Sequence, residues 1–159
     1  MTGDLDEERF RLAYERWYGP MVRMCALMVG DRPTAEDIVQ DIFVRGARPI
    51  GRLEPDAVAP YLRRSVTNAC HNWRRHEAVE QQVHPRLIDV APGTPTVTED
   101  RDEMWSAILR LPFRQRACLV LRYYEDLTEQ DAAAILGCSV GTVKSQTSRA
   151  LRALRRSFA

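Results

Sequence analysis

The chain has 159 residues, of which 45% are hydrophobic and 28% charged, and carries a formal net charge of +1. That length suits one ordinary domain or two small ones with packed cores. The acidic start MTGDLDEERF is the reverse of the basic head of a signal peptide, and no apolar run approaches membrane-spanning length, so a cytoplasmic protein without membrane insertion is expected.

The near-neutral total conceals segregation. Residues 1–8 hold four acids and no base, whereas residues 57–76 hold four arginines and no acid, which suits different partners for different faces. Cys25, Cys70, Cys118 and Cys138 are far apart and form no C-x-x-C pair. No zinc, disulfide framework or other cofactor is expected, and reduced, buried thiols are the default.

Residues 5–29 have a helical pattern in which Phe10, Tyr14, Trp17, Met21, Met24, Cys25 and Met28 share a face, interrupted at Gly19-Pro20 by a kink or a break into two helices. Gly30 to Pro33 is a turn, and Thr34 with Asp37 reads as a capping box. The helix that follows turns Ile38, Val39, Ile42 and Phe43 inward and Glu36, Asp37, Gln40, Asp41 and Val44 outward. Acids at a helix start satisfy the dipole, and an acidic stripe equally suits arginines on a partner; composition does not choose.

Pro49 to Pro55 reads as a loop. Residues 57–76 then form a helix that packs Leu62, Val66, Ala69, Cys70 and Trp73 inward. Its outer face aligns Arg64, Asn68, His71, Asn72 and Arg75, with Tyr61 at its head. Asparagine amides both donate and accept, as base edges require, while arginines hold phosphates; a plain solvated face is an equal reading of the same residues. From residue 77 to 98 the pattern dissolves around Pro85, Pro92, Gly93 and Pro95, a linker able to stretch roughly 70 Å.

Residues 99–111 form a helix with Met104, Trp105, Ile108, Leu109 and Leu111 apolar, and Pro112 opens another whose core face is Phe113, Ala117, Val120, Leu121 and Tyr124. Thr128 caps a helix ended by Gly137, and Ser139 caps the next; two helices joined by so short a turn make a helix-turn-helix. Val140, Val143, Thr147, Ala150, Leu151, Leu154 and Phe158 form the buried face of its second helix. From Lys144 to Arg156 there are five basic residues and no acidic one. Lys144, Ser145, Ser148, Arg149 and Arg152 thus make a face suited to a phosphate backbone, with hydroxyls near base edges. The expected architecture is all-α: two small helical domains, residues 1–76 and 99–159, joined by a flexible linker over 77–98, the second containing the helix-turn-helix.

Taken together, AEDIVQDIF, VTNACHNWRR and LTEQDAAAILGCSVGTVKSQTSRALRAL, in this order and with this linker, resemble the extracytoplasmic-function (group four) sigma factors of the bacterial sigma-seventy family over nearly the whole chain. The resemblance implies no enzyme but a sigma factor, with core RNA polymerase and promoter DNA as partners and an anti-sigma factor as a further one. It implies that Asp37, Gln40 and Asp41 meet the clamp helices of the β′ subunit, while the linker threads toward the RNA exit channel. Asn68 and Asn72, with the loop around Arg52 and the neighbouring Tyr61, Arg64 and Arg75, would hold melted minus-ten bases. Lys144, Ser145, Ser148, Arg149 and Arg152 would face the minus-thirty-five element. The alternative is a stand-alone helix-turn-helix regulator, which would bind duplex without polymerase.

Overall fold

A computed structural model describes residues 2–83 and 99–159, so the sequence expected as linker lies mostly outside the described residues. Among the described residues every regular element is helical. The first module is α1 (Thr2–Val29), α2 (Arg32–Arg45), α3 (Ala47–Arg52) and α4 (Pro55–Val83). The second is α5 (Glu99–Arg110), α6 (Phe113–Leu119) running into a π-helical turn over Val120–Tyr124, α7 (Glu129–Leu136) and α8 (Val140–Ser157).

Several prolines behave differently from their sequence reading. α1 runs unbroken through Pro20, held by packing against α2, α3 and α4. Pro33 sits in the first turn of α2, where its missing amide would have had no helical partner. α2 therefore starts before Thr34, and Asp31 is the cap: its carboxylate accepts from the Thr34 amide at 2.9 Å. Pro49 likewise lies in the first turn of α3, so the segment expected as a loop is a short helix pinned by buried Ile50. Gly51 of that helix lies against the α1 backbone, where a β-carbon would meet the Asp6 carbonyl oxygen at 2.5 Å. α4 also begins earlier than residue 57 and extends to Val83, past the expected end of the first domain.

The buried side chains of α1, Met21, Met24, Cys25 and Met28, meet Val39 and Phe43 of α2 and Leu62, Val66 and Cys70 of α4. Phe10, Tyr14 and Tyr18 pack their rings around Phe43, with centroids 5.2 to 6.2 Å from it, which fixes the angle at which α2 crosses α1. The same core continues without a break into Ala117, Val120 and Leu121, then Ala132, Ile135 and Val143. The sequence left the placement of the modules open; in the structure they close on each other. A smaller cluster of Leu111, Leu119 and Ala150 holds α5 and α6 on α8.

Two members of the expected core are outside it. Tyr124, the last residue of the π-turn, is 49% exposed because the wider turn rotates it off the core face that a continued α-helix would present. Phe158 is 46% exposed at the end of α8.

The helix-turn-helix caps form as the sequence implies. Thr128 Oγ1 accepts from the Asp131 amide at 3.1 Å, Ser139 Oγ from the Thr142 amide at 3.1 Å, and Gly137 is left-handed at φ 65°. A β-carbon on Gly137 would meet nothing within 4 Å, so Gly137→Ala isolates the backbone strain. A loss of about 1–2 kcal/mol is expected, read as a lowered urea midpoint at unchanged slope. A larger loss would mean that the turn packs more tightly than the open space around it indicates.

Candidate nucleic-acid interface

The outer face of α4 carries Arg64, Asn68, His71, Asn72 and Arg75, all exposed and repeating at helical spacing opposite buried Leu62, Val66 and Cys70. Tyr61 is half-buried and packs on the core, which leaves it at the margin of this face. Arg52 is held apart from the row, at the end of α3, where it faces Asp6 of α1 at 3.5 Å. Arg64 is already engaged, donating at 2.9 Å to the Ala134 carbonyl near the end of α7.

α8 buries Val143, Thr147 and Ala150, so Lys144, Ser145, Ser148, Arg149 and Arg152 all stand in solvent. Among the described residues the acid paired with this face is Glu129, 3.7 Å from Lys144. Ser145 Oγ donates to the Thr142 carbonyl, which leaves the lone pairs of its oxygen free to accept. The two faces meet at one cleft of about 410 Å³, lined by His71, Arg74 and Arg75 of α4, Phe113 and Arg114 of α6, and Arg149 of α8. Arg74 and Arg114 were not singled out in the sequence; the Arg74-Arg75 doublet was the available signal, and only the tertiary arrangement sets Arg114 opposite it.

Asp37, Gln40, Asp41 and Val44 of α2 in the first module are exposed. Gln40 Nε2 donates to the Tyr18 hydroxyl at 3.2 Å, and Asp41 accepts from Arg45 at 2.9 Å. Val44, 77% exposed, and Tyr14, 41% exposed, add apolar area beside the acids. That mixture suits a protein partner more than a nucleic acid, since carboxylates repel phosphate.

Residues 13–79 match the sequence model of sigma-70 region 2, and residues 101–154 that of sigma-70 region 4. The chain belongs to the sigma-70 family. It is an RNA polymerase sigma factor of the extracytoplasmic-function type. It is 33% identical over 137 residues to the RNA polymerase sigma-E factor of Streptomyces avermitilis, covering 85% of this chain and 76% of the relative. It is 32% identical to the ECF RNA polymerase sigma factor SigM of Mycobacterium tuberculosis, covering 95% of this chain and 78% of the relative. Its fold matches that of the sigma factor RpoE, solved in complex with the anti-sigma factor NepR from Bartonella quintana. The TM-score is 0.77 at 22% identity, covering 94% of this chain and 96% of that one.

In the sigma factor the region 2 match falls within α1–α4 and the region 4 match within α5–α8. Its cysteines are free. Cys25 and Cys70 lie with sulfurs 3.3 Å apart between α1 and α4, both buried, and the thiol contact with burial raises the Cys70 pKa well above its ordinary value. Burial pushes Cys118 up to about 11. Thiols held protonated in this way are poor nucleophiles and act as core residues. No helix among the described residues is long and apolar enough to cross a membrane.

Proposed function

We propose that region 2 of this sigma factor binds core polymerase through the face of α2 and traps melted minus-ten bases on the face of α4, while α8 reads the minus-thirty-five element. The observation that carries the reading is the presence of both sigma-70 regions in one chain, each with an exposed face of the required chemistry. Asp37, Gln40, Asp41 and Val44 offer an acidic and apolar stripe for the β′ clamp helices. Asn68 and Asn72 offer paired donors and acceptors for unstacked bases, with Arg75 and Arg64 for the backbone. Lys144 and Arg152 hold phosphates, and Ser145, Ser148 and Arg149 face base edges in the major groove.

The protein acts without catalysing a reaction itself, supplying binding energy that places the polymerase in the cytoplasm of its host. An anti-sigma factor is a further partner, as one is for the RpoE neighbour. Run-off transcription with core polymerase and a panel of genomic promoters tests the whole reading: the chain should confer promoter-dependent transcripts that core polymerase alone does not make. Within that assay Lys144→Ala should weaken all promoters alike. Arg149→Ala should cost about 1–3 kcal/mol at one upstream position and change the ranking of promoters. Unchanged selectivity in the Arg149→Ala protein would remove that residue from base readout.

A further inference from the structure

The cleft where α4, α6 and α8 meet holds more positive charge than the proposed promoter contacts account for. Arg74 and Arg75 come from α4, Arg114 from α6 and Arg149 from α8, and no acid appears in the described lining. Among the described residues none of these four arginines forms an ion pair. Arg74 also stands close enough to the buried Arg116 for their charges to act on each other. Like charges gathered this way repel, so the folded cleft attracts an anion with several charges close together.

The rest of the cleft is built for more than phosphate. Phe113 is half-buried, with its ring 5.6 Å from that of His71. Next to this ring pair is a hollow of about 90 Å³ bordered by Thr67, Asn68 and Gln146, room for about three waters or the edge of a base. Cleft and hollow share His71, Phe113, Arg114 and Gln146, so they form one continuous space. Thr67 is 2% exposed, and its hydroxyl has no hydrogen-bond partner among the described residues, a cost that a ligand group or its water would remove. The Asn68 and Gln146 amides both donate and accept. An aromatic ring beside such groups suits a nucleobase, and the 410 Å³ of the outer cleft is within the range of small-molecule sites.

We propose that this cleft binds a free purine nucleoside polyphosphate, its phosphates among Arg74, Arg75, Arg114 and Arg149 and its base against Phe113. A purine is favoured because two fused rings cover more of the Phe113 face than one. A free nucleotide is favoured over a DNA strand because a strand spreads its charge at about one per 3.4 Å, whereas a polyphosphate concentrates its charge on adjoining groups. Arg75 and Arg149 double as proposed promoter contacts, so Arg74, Arg114 and Phe113, which lie outside those contacts, are the positions that separate the two roles.

The test is isothermal titration calorimetry on the full chain at fixed salt, without magnesium, using ATP, GTP, tripolyphosphate and a thymidine tetranucleotide. ATP or GTP should bind one to one and about tenfold more tightly than tripolyphosphate, which has at least as much charge but no base to stack. The tetranucleotide should bind more weakly than the better purine nucleotide. Arg74→Ala and Arg114→Ala should each weaken that nucleotide by about tenfold, with helix content unchanged by circular dichroism. Phe113→Leu should weaken it by about fivefold and leave tripolyphosphate unaffected. No binding of either purine nucleotide would overturn the site. Equal affinity for tripolyphosphate would reduce the cleft to a plain anion patch, and a tetranucleotide bound as tightly would make it a strand groove; either result overturns the proposal. So would unchanged affinity in both arginine variants. Should Phe113→Leu fail to fold, the tripolyphosphate comparison on the wild type still decides whether the base is recognised. Neither polymerase nor promoter enters the measurement, so its outcome is independent of the sigma-factor reading.

Discussion

Replacing Arg116 by alanine should destabilise the protein by about 3 kcal/mol or more, which at this chain length lowers the thermal midpoint by roughly 6–12 °C. Arg116 is 3% exposed and has four carbonyl partners: Met28 at 2.6 Å, Leu109 at 2.6 Å, Leu111 at 2.9 Å and Ile108 at 3.2 Å. Three of these oxygens belong to the end of α5 and the turn after it, and the fourth to the end of α1, so one guanidinium gathers carbonyls from two helix ends; that of Ile108 also accepts from the Leu111 amide. Burial, and after it the charge of Arg74, pull the Arg116 pKa down to about 10, which still leaves it charged at neutral pH. The carbonyl dipoles are what make that buried charge tolerable, and alanine would leave them facing a cavity. Arg116→Lys should recover only part of the loss, because an ammonium cannot match the planar fork. An Arg116→Ala protein melting within a degree or two of the wild type would show that these carbonyls do not depend on it.

The second large effect is expected from salt. If Lys144, Arg149, Arg152, Arg155 and Arg156 each neutralise one phosphate, promoter affinity of the holoenzyme should fall roughly 500-fold from this face alone between 50 and 200 mM salt, at a log–log slope near −0.9 per contact. The ion pair of Lys144 with Glu129 is exposed and should cost little to break. Replacing Lys144, Arg149 and Arg152 together by alanine should flatten the slope by about 2.7. Filter binding or anisotropy on a duplex carrying the upstream element would measure it. A triple variant with the wild-type slope would place this helix off the DNA backbone.

Much of region 4 was legible because its signals are local. Thr128, Gly137 and Ser139 act on amides and backbone angles within a few residues, so their roles follow from neighbours in the chain. The basic face of α8 was legible for a related reason: helical periodicity alone sorts Val143, Thr147 and Ala150 from Lys144, Ser148 and Arg152. Prolines were read less well. Pro20, Pro33 and Pro49 each suggested an interruption or a later start, yet two of them occupy first turns that lack amide partners and the third is bridged by packing on three other helices.

The sequence by itself determined the all-helical class, the helix-turn-helix caps, the exposed polar face of α4 and basic face of α8, and the membership in the sigma-70 family, since each depends on spacing within one element or on motif order. Only the tertiary structure decided that Arg116 would be buried, that Arg63 would find Glu125 and that Tyr124 would turn out of the core. Those outcomes depend on where one helix end meets another. An arginine reads the same in sequence whether its partner is water, a phosphate or an orphaned carbonyl 88 residues away.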